Sequence, residues 1–232
     1  MKQAIVLVGG KGTRIAALFP DRPKALVPVA GKPFIERHVE WLATHGFTDV
    51  HLAAGHMADA VARWAESATI PGITLTVSVE PSAMGTAGGL KYVEPFIKSD
   101  RFFALNGDSW LPRLDFQSLE KLHAASSNAW TTIAVVPIAD AGRYGTVEFD
   151  EAGRVSAFRE KAERSDGWIN GGAYLMNREV LTLIPVGNIS LETQIFPQLA
   201  AAGKLQACKS APPLLDMGTP DGLKAMESFV KG

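Results

Sequence analysis

The sequence predicts an α/β protein with a Rossmann-like, mixed but mainly parallel sheet flanked by helices. Three observations support this fold class. Strand and helix patterns alternate through the first half of the chain. A glycine-rich loop, residues 9–12, directly follows the first strand, and open α/β sheets bind ligands at the carboxyl ends of their strands. The second half carries consecutive strand patterns separated by turns, which indicates an antiparallel wall beside the parallel part.

The first half combines short apolar runs, which are typical of buried strands, with segments of helical periodicity. Phe34, Val39 and Leu42 recur near helical spacing, and Pro33 before them suits a first helical turn. The expected elements, in chain order, are strand 4–8, helix 33–44, strand 49–54, helix 57–68, strand 73–79, helix 85–93 and strand 102–105.

The second half of the chain has a different secondary-structure pattern. Its apolar runs predict strands at 130–136, 145–149, 155–158 and 168–176, and helical patterns return at 191–202 and 219–230. Among the histidines, His51 and His56 lie five residues apart across a strand end, and we expect them to make solvent or turn contacts rather than to bind a metal.

The composition excludes several classes of protein. With 232 residues, 47% of them hydrophobic, the chain can bury a sizeable core and is not disordered. Its net charge of −1 lacks the basic excess that sequence-independent nucleic-acid binding requires. The single cysteine, Cys208, excludes an intramolecular disulfide and favours a reducing, cytoplasmic location. The first apolar run ends at Val8, too early for a signal peptide, and no run of about 18 apolar residues suggests a membrane span.

The first loop, residues 9–14, reads GGKGTR. Its glycines let backbone N–H groups approach phosphate oxygens, and Lys11 and Arg14 add positive charge. The spacing matches neither the dinucleotide-binding fingerprint nor the Walker A motif. Taken alone, a glycine-rich loop after a strand is a weak signal, and a plain tight turn is the favoured interpretation.

The continuation favours one family. Residues 22–34 read RPKALVPVAGKPF, and with the first loop they resemble the signature GGxGTRL, PKxLxPV and KP of the sugar-nucleotide pyrophosphorylases, the nucleotidyltransferases that act on sugar 1-phosphates. Ile15 replaces the usual leucine. Further segments follow the order of that family: EPSAMGTA at 80–87, LNGD at 105–108, RYGTV at 143–147, EK at 160–161, INGG at 169–172 and DMGTP at 216–220.

The resemblance covers nearly the whole chain and implies the nucleotide-diphospho-sugar transferase fold. It also implies one domain, residues 1–232, with a nucleotide-binding half at about 1–110 and a sugar-phosphate-binding half at about 111–232. Only one helix is expected after Asp216, so the β-helix or acyltransferase domain of larger relatives is expected to be absent. A homo-oligomer is compatible with the family.

The implied reaction is attack by a sugar 1-phosphate oxygen on the α-phosphorus of a nucleoside triphosphate, with release of pyrophosphate. Because the nucleophile is already ionised, positioning and charge neutralisation suffice. The resemblance assigns Arg14, Lys24 and Lys161 to the phosphates. It assigns Asp108 and Asp216 to Mg²⁺, which prefers oxygen ligands. Considered singly, Asp108 also suits a turn and Asp216 the start of a helix.

The base and the sugar are separate questions. Thymidylyl members of the family have glutamine where this chain has Glu80. A carboxylate only accepts hydrogen bonds, which suits the N1–H and N2 amino group of guanine and opposes the carbonyls of uracil and thymine. The sugar-side motifs most resemble the bacterial D-glycero-D-manno-heptose 1-phosphate guanylyltransferases, so GTP and that heptose phosphate are the expected substrates.

Alternatives remain at this stage: a uridylyl-, thymidylyl- or cytidylyltransferase acting on mannose, glucose or N-acetylmuramate 1-phosphate, or a catalytically silent nucleotide-sugar-binding regulator. Trp110 and Trp168 either stack on a sugar or cap the core. The expected nucleotide-binding residues are Val8, Gly9, Gly10, Gly12, Thr13, Glu80, Gly85, Thr86, Ala87, Asn106 and Gly107. The expected sugar-phosphate-binding residues are Gly145, Glu160, Lys161, Asn170 and Gly171.

Overall fold

A computed structural model describes residues 2–139, 145–159 and 166–232. Its strands are β1 Gln3–Val8, β2 Pro28–Val29, β3 Lys32–Pro33, β4 Asp49–Ala54, β5 Thr74–Val79, β6 Arg101–Asn106, β7 Ser109–Trp110, β8 Thr131–Ile138, β9 Thr146–Phe149, β10 Val155–Arg159, β11 Gly167–Asn177, β12 Leu205–Lys209 and β13 Leu215–Asp216. The α-helices are α1 Thr13–Ala16, α2 Phe34–Thr44, α3 Ala58–Ser67, α4 Gly85–Tyr92, α5 Phe116–Ala125, α6 Phe196–Ala201 and α7 Pro220–Lys231. Short 3₁₀ segments cover Lys24–Leu26, Glu94–Phe96 and Arg178–Leu183, and a π-turn covers Leu191–Ile195.

The central sheet runs in the order β10-β9-β11-β6-β1-β4-β5, with β8 beside β11 and β12 beside β8. Strands β6, β1, β4 and β5 are mutually parallel. Strand β11 runs antiparallel to both β6 and β8. The predicted fold class, with a parallel first half and a more antiparallel second half, is therefore confirmed.

The parallel strands are buried because their sequences are apolar on both faces: β4 is buried at all six positions and β1 at five of six. One core cluster packs α2, α3 and α5 on one face, and a second packs α4 and α6 on the other. A third, smaller cluster joins the first loop to the carboxyl-terminal helix through Ile15, Phe34 and Met226. The consequence for the site is positional: the carboxyl ends of β1, β4, β5 and β6 meet at one edge of the sheet.

Some elements differ from expectation. Helix α5 was not predicted, although Asp115 supplies an ordinary N-cap by accepting hydrogen bonds from the amides of Gln117 (2.9 Å) and Ser118 (3.2 Å). The expected helix 191–202 is present as one continuous helical segment, in which the π-turn Leu191–Ile195 is followed directly by α6.

The expectation for His51 was wrong. Its side chain is fully buried, and its two ring nitrogens bond Thr76 (2.8 Å) and Ser78 (3.0 Å) on the neighbouring strand. Burial lowers the pKa of His51 to about 4, so the imidazole is neutral at physiological pH. Among the described residues, no helix is long and apolar enough to cross a membrane.

Candidate active site

A cleft of about 430 Å³ opens at the carboxyl edge of the parallel strands. It draws residues from the first loop, the segment after β5, the start of α4, the end of β6 and the segment before the π-turn. These are Leu7, Gly9, Gly10, Lys11, Glu80, Ala83, Met84, Gly85, Thr86, Asn106, Asp108 and Asn188. The cleft thus gathers most of the nucleotide-binding residues expected from the sequence.

The first loop is shaped by Gly12. Its φ of +54° lies in the left-handed region, and a Cβ there would sit 3.1 Å from the side chain of Lys24. A Cβ on Gly10, in contrast, would meet no protein atom within 4 Å. Buried Ile15 anchors the end of the loop, which leaves Thr13 and Arg14 exposed. The loop is therefore fixed at its base and open where a phosphate chain would approach. Val8 precedes it as the buried last residue of β1.

Glycines surround the carboxylate of Glu80 on three sides. A Cβ on Gly9, Gly55 or Gly89 would lie 3.1, 3.0 or 2.7 Å from its oxygens. The carboxylate accepts a long hydrogen bond of 3.4 Å from the Met84 amide. Partial burial raises the pKa of Glu80, and that hydrogen bond opposes the rise. We call this arrangement, Glu80 with Gly9, Gly55 and Gly89, the glycine cradle.

The two aspartates expected at the metal site lie side by side. Strand β13 pairs with β7 so that Asp216 faces Ser109, and the Met217 amide donates to the Asp108 carbonyl at 2.9 Å. Lys24 bridges the pair, with its Nζ 2.9 Å from Asp108 Oδ2 and 3.9 Å from Asp216 Oδ1. Asp216 therefore belongs to a strand and not to the start of α7, which Thr219 caps by accepting from the Gly222 amide.

The donor chemistry fits Mg²⁺. Within residues 2–139, 145–159 and 166–232, no group of three or more His, Cys, Asp or Glu side chains is arranged to hold a metal. Mg²⁺ in nucleotide enzymes is commonly bound through one or two carboxylates, with substrate phosphates and water completing the shell. Asp108 and Asp216 supply such a pair: both side chains are partly exposed (47% and 29%), and Asp108 lines the cleft.

The start of α4 is fastened to the segment before the π-turn. The amides of Ala87 and Gly88 donate to the Ile189 carbonyl at 2.9 and 3.2 Å, and the Ile189 amide donates to the Met84 carbonyl at 2.9 Å. Thr86 donates through its hydroxyl to Glu192 at 2.8 Å.

The sugar-side motif on β11 forms a bulge. The register shifts between Asn170 and Tyr174, and Gly172 there has a φ of +73°. Asn170 stabilises this bulge, because its Oδ1 accepts from the Gly172 amide (2.9 Å) and its Nδ2 donates to the buried Tyr174 hydroxyl (3.0 Å). The Asn170 amide, expected to bind sugar hydroxyls, is thus partly committed within the protein.

The bulge also adjoins the aspartate side of the cleft. A Cβ on Gly172 would lie 2.7 Å from Ser109 Oγ and 2.9 Å from Asn106 Nδ2, and one on Gly171 would lie 2.7 Å from Leu111. Gly107 is fixed by its amide, which donates to the Leu7 carbonyl at 2.8 Å.

The remaining sugar-side predictions lie elsewhere. Gly145 is exposed and directly precedes β9. The predicted Glu160 and Lys161 lie outside the described residues.

The two tryptophans have different surroundings. Trp110 packs edge-on against Trp41 and Phe229, with ring centroids 6.3 and 5.8 Å apart, so it caps the core. Trp168 packs edge-on against Phe149, and the Lys209 ammonium lies 5.4 Å from its ring. Trp168 lines a second, shallower pocket and not the cleft.

Sequence reasoning missed Asn188. This residue borders the cleft from a segment that carries no recognisable motif. Gly187, next to Asn188, was the one available signal, since glycines permit close backbone approach.

Comparison with known proteins agrees with this geometry. The sequence profile of the nucleotidyl transferase family matches residues 3–231. The chain belongs to this family. This nucleotidyl transferase is 34% identical over 233 residues to mannose-1-phosphate guanylyltransferase of Mycobacterium tuberculosis, covering 99% of the chain and 63% of that relative, or less than two thirds of its length. It is 31% identical over 219 residues to D-glycero-alpha-D-manno-heptose 1-phosphate guanylyltransferase of Campylobacter jejuni, covering 94% of the chain and 96% of that protein.

Solved structures give the same result. The crystal structure of HddC from Yersinia pseudotuberculosis superposes with a TM-score of 0.85 at 28% identity, covering 99% of this nucleotidyl transferase and all of the other chain. The same values apply to that protein complexed with GMP-PN. The family predicted from the sequence motifs is therefore confirmed.

Proposed function

We propose that this nucleotidyl transferase transfers the guanylyl group of GTP to a sugar 1-phosphate and releases pyrophosphate. The observation that carries the proposal is the glycine cradle: a carboxylate that lines the cleft of a nucleotidyl transferase and is enclosed by three glycines. The guanylyltransferase names of the relatives support the same base.

Glu80 would read guanine. An ionised carboxylate offers two acceptor oxygens, and guanine presents two adjacent donors, N1–H and the N2 amino group. Uracil and thymine present one N–H between two carbonyls, and those carbonyls would face the carboxylate unfavourably. Partial burial raises the pKa of Glu80, which means that the ionised carboxylate is destabilised at this position. A charged group kept at such a position is typical of a functional site.

In the reaction, an ionised phosphate oxygen of the sugar 1-phosphate attacks the α-phosphorus, and the bond from that phosphorus to the β-bridging oxygen breaks. Asp108 and Asp216 would hold Mg²⁺, which neutralises phosphate charge when bound. Lys24 already lies between the two aspartates, so its ammonium can turn to the α-phosphate without leaving their vicinity.

The other proposed phosphate contacts come from Arg14, Lys161 and the backbone of the first loop. Arg14 is exposed at the end of the first loop and would bind the triphosphate and the leaving pyrophosphate through its planar guanidinium. We assign Lys161 to the sugar phosphate on the motif alone. The backbone amides of residues 9–12 complete the phosphate contacts.

The proposed acceptor is D-glycero-D-manno-heptose 1-phosphate, giving GDP-heptose. The likeness to the Campylobacter jejuni heptose enzyme over 96% of its length supports this choice. Mannose 1-phosphate is the competing acceptor, supported by the 34% identity to the Mycobacterium tuberculosis enzyme.

The test is a matrix of pyrophosphate-release assays. GTP, UTP, dTTP, CTP and ATP are each combined with heptose, mannose, glucose and N-acetylmuramate 1-phosphates in the presence of Mg²⁺. We expect turnover with GTP and the heptose phosphate, and its loss in Asp108→Asn. The exposed Asp59→Asn, on α3, is the matched control. Absence of turnover in every combination would refute the proposed enzymatic activity. A preference for UTP would refute the proposed role of Glu80 in reading guanine.

A further inference from the structure

Asn188 is held at the mouth of the cleft by a backbone clamp. The segment 187–189 makes three backbone hydrogen bonds to the start of α4, at 2.9, 3.2 and 2.9 Å. The approach depends on glycines: a Cβ on Gly88 would lie 2.1 Å from the Gly187 carbonyl oxygen, and one on Gly85 would lie 2.5 Å from the Ile189 carbonyl oxygen. Two backbones in such contact fix the position of the residue between Gly187 and Ile189.

The side chain of Asn188 is available to a ligand. Its Oδ1 lies 2.8 Å from the point where a Gly85 Cβ would sit, and the residue lines the cleft together with Glu80. Its amide makes no hydrogen bond to any residue that the structure describes. The neighbouring polar groups, in contrast, bond one another: Glu192 accepts from Ser190 at 2.9 Å and from Thr86 at 2.8 Å.

Glu80 and Asn188 flank the same short turn. Glu80 accepts from the Met84 amide, and Asn188 lies against Gly85, the next residue. A flat ring entering the cleft over residues 84–85 would therefore have both a carboxylate and a carboxamide within the cleft lining. The carboxylate only accepts hydrogen bonds, whereas the carboxamide can also donate.

We infer that Asn188 is a second base-reading residue, which donates a hydrogen bond from its amide to O6 of guanine while Glu80 accepts from N1–H and N2. This inference rests on the proposed function. With Asn188, all three polar groups on this edge of guanine have a partner, because the Glu80 carboxylate cannot donate a hydrogen bond to O6. Adenine places an amino group at that position and an unprotonated nitrogen opposite Glu80, so the two side chains together select guanine.

The test is nucleotide binding, measured by calorimetry with Mg²⁺ and no sugar phosphate. GTP is compared with 6-thio-GTP, in which a weaker sulfur acceptor replaces O6. The variant is Asn188→Ala, and Asn128→Ala is the matched control, since Asn128 is an exposed asparagine outside the cleft that donates to the Gly203 carbonyl at 3.2 Å.

We expect wild-type protein and Asn128→Ala to bind GTP about tenfold more tightly than 6-thio-GTP, a difference of about 1.4 kcal/mol. In Asn188→Ala, GTP binding should weaken by about tenfold and the two nucleotides should bind alike. An unchanged preference for GTP in Asn188→Ala would overturn the inference, as would a wild-type protein that binds no GTP. Selective GTP binding without turnover on any sugar phosphate would refute the proposed function and still support this role of Asn188.

Discussion

Replacing Gly88 by alanine tests whether the close backbone contact with Gly187 or the helix propensity of residue 88 has the larger effect on stability. Gly88 lies within α4, where alanine normally stabilises a helix by about 1 kcal/mol relative to glycine. Here the added Cβ would lie 2.1 Å from the Gly187 carbonyl oxygen, a backbone atom. To restore an ordinary contact of 3.4 Å, the segment 187–189 must retreat by about 1.3 Å, the difference between these two distances.

That retreat breaks the clamp. Three backbone hydrogen bonds join the segment to α4, and each contributes about 1 kcal/mol net. Against the gain of about 1 kcal/mol in helix propensity, Gly88→Ala should destabilise the protein by about 2 kcal/mol. For a chain of this size, such a loss lowers Tm by roughly 4–8 °C.

Gly89→Ala is the matched control in the same helix. Its Cβ would meet the carboxylate of Glu80 at 2.7 Å, the end of a flexible side chain that can swing aside. We expect Gly89→Ala to keep or raise Tm, measured by thermal unfolding, while Gly88→Ala lowers it and weakens GTP binding. If both variants shift Tm in the same direction and by similar amounts, the clamp does not contribute as described.

Three further predictions concern the acids and the buried histidines. Asp108→Asn should abolish most Mg²⁺-dependent pyrophosphate release while thermal unfolding stays unchanged; full activity would contradict the metal assignment. Glu80→Gln should shift nucleotide preference away from GTP, and because burial raises the pKa of Glu80, the neutral replacement should not lower stability at pH 7; an unchanged preference would contradict the base assignment. Burial lowers the pKa of His38 and His51 to about 4. Stability should therefore fall as pH drops from about 6.5 toward 4, by about 1.4 kcal/mol per pH unit for each histidine. Urea unfolding at pH 7 and 5 should show a smaller fall for His38→Leu, and equal falls would reject this origin.

The buried side chain of His38 has polar atoms without hydrogen-bond partners among the described residues. Both of its ring nitrogens are buried without a hydrogen-bond partner among the described residues, beside the similarly unpartnered indole N–H of Trp41. Buried polar groups without partners are uncommon and destabilising. Burial destabilises the charged imidazolium more than the neutral imidazole, which explains why the pKa of His38 is lowered.

The sequence predicted those parts of the fold that depend on local pattern. Buried strands 4–8 and 49–54 and amphipathic helix 33–44 were correct because short apolar runs and helical spacing are properties of neighbouring residues. Helix 191–202 was also found as a helical segment, but its first five residues form a π-turn, which the apolar periodicity did not indicate.

The site divides in the same way. The first-loop glycines and Asp108 follow parallel strands β1 and β6 in recognisable motifs, so their meeting at one edge of the sheet could be expected from the strand ends. The glycine cradle could not, because it unites Gly9, Gly55 and Gly89 from three separate segments around one carboxylate. The position of Asn188 likewise depends on a backbone contact between residues 88 and 187, which no local pattern encodes.

The short ribbon of β7 and β13 has a consequence for synthesis of the chain. It pairs Asp216 with the turn that carries Asp108, although 108 positions of the sequence separate the two acids. At about 5–20 residues per second, a ribosome needs roughly 5 to 22 seconds to add the second acid after the first. Until then the nascent protein has Asp108 without its partner, and Asn188 at the mouth of the cleft is also added within this interval. Under the proposed metal role, the pair of carboxylates therefore forms late in synthesis, when strand β13 pairs with β7.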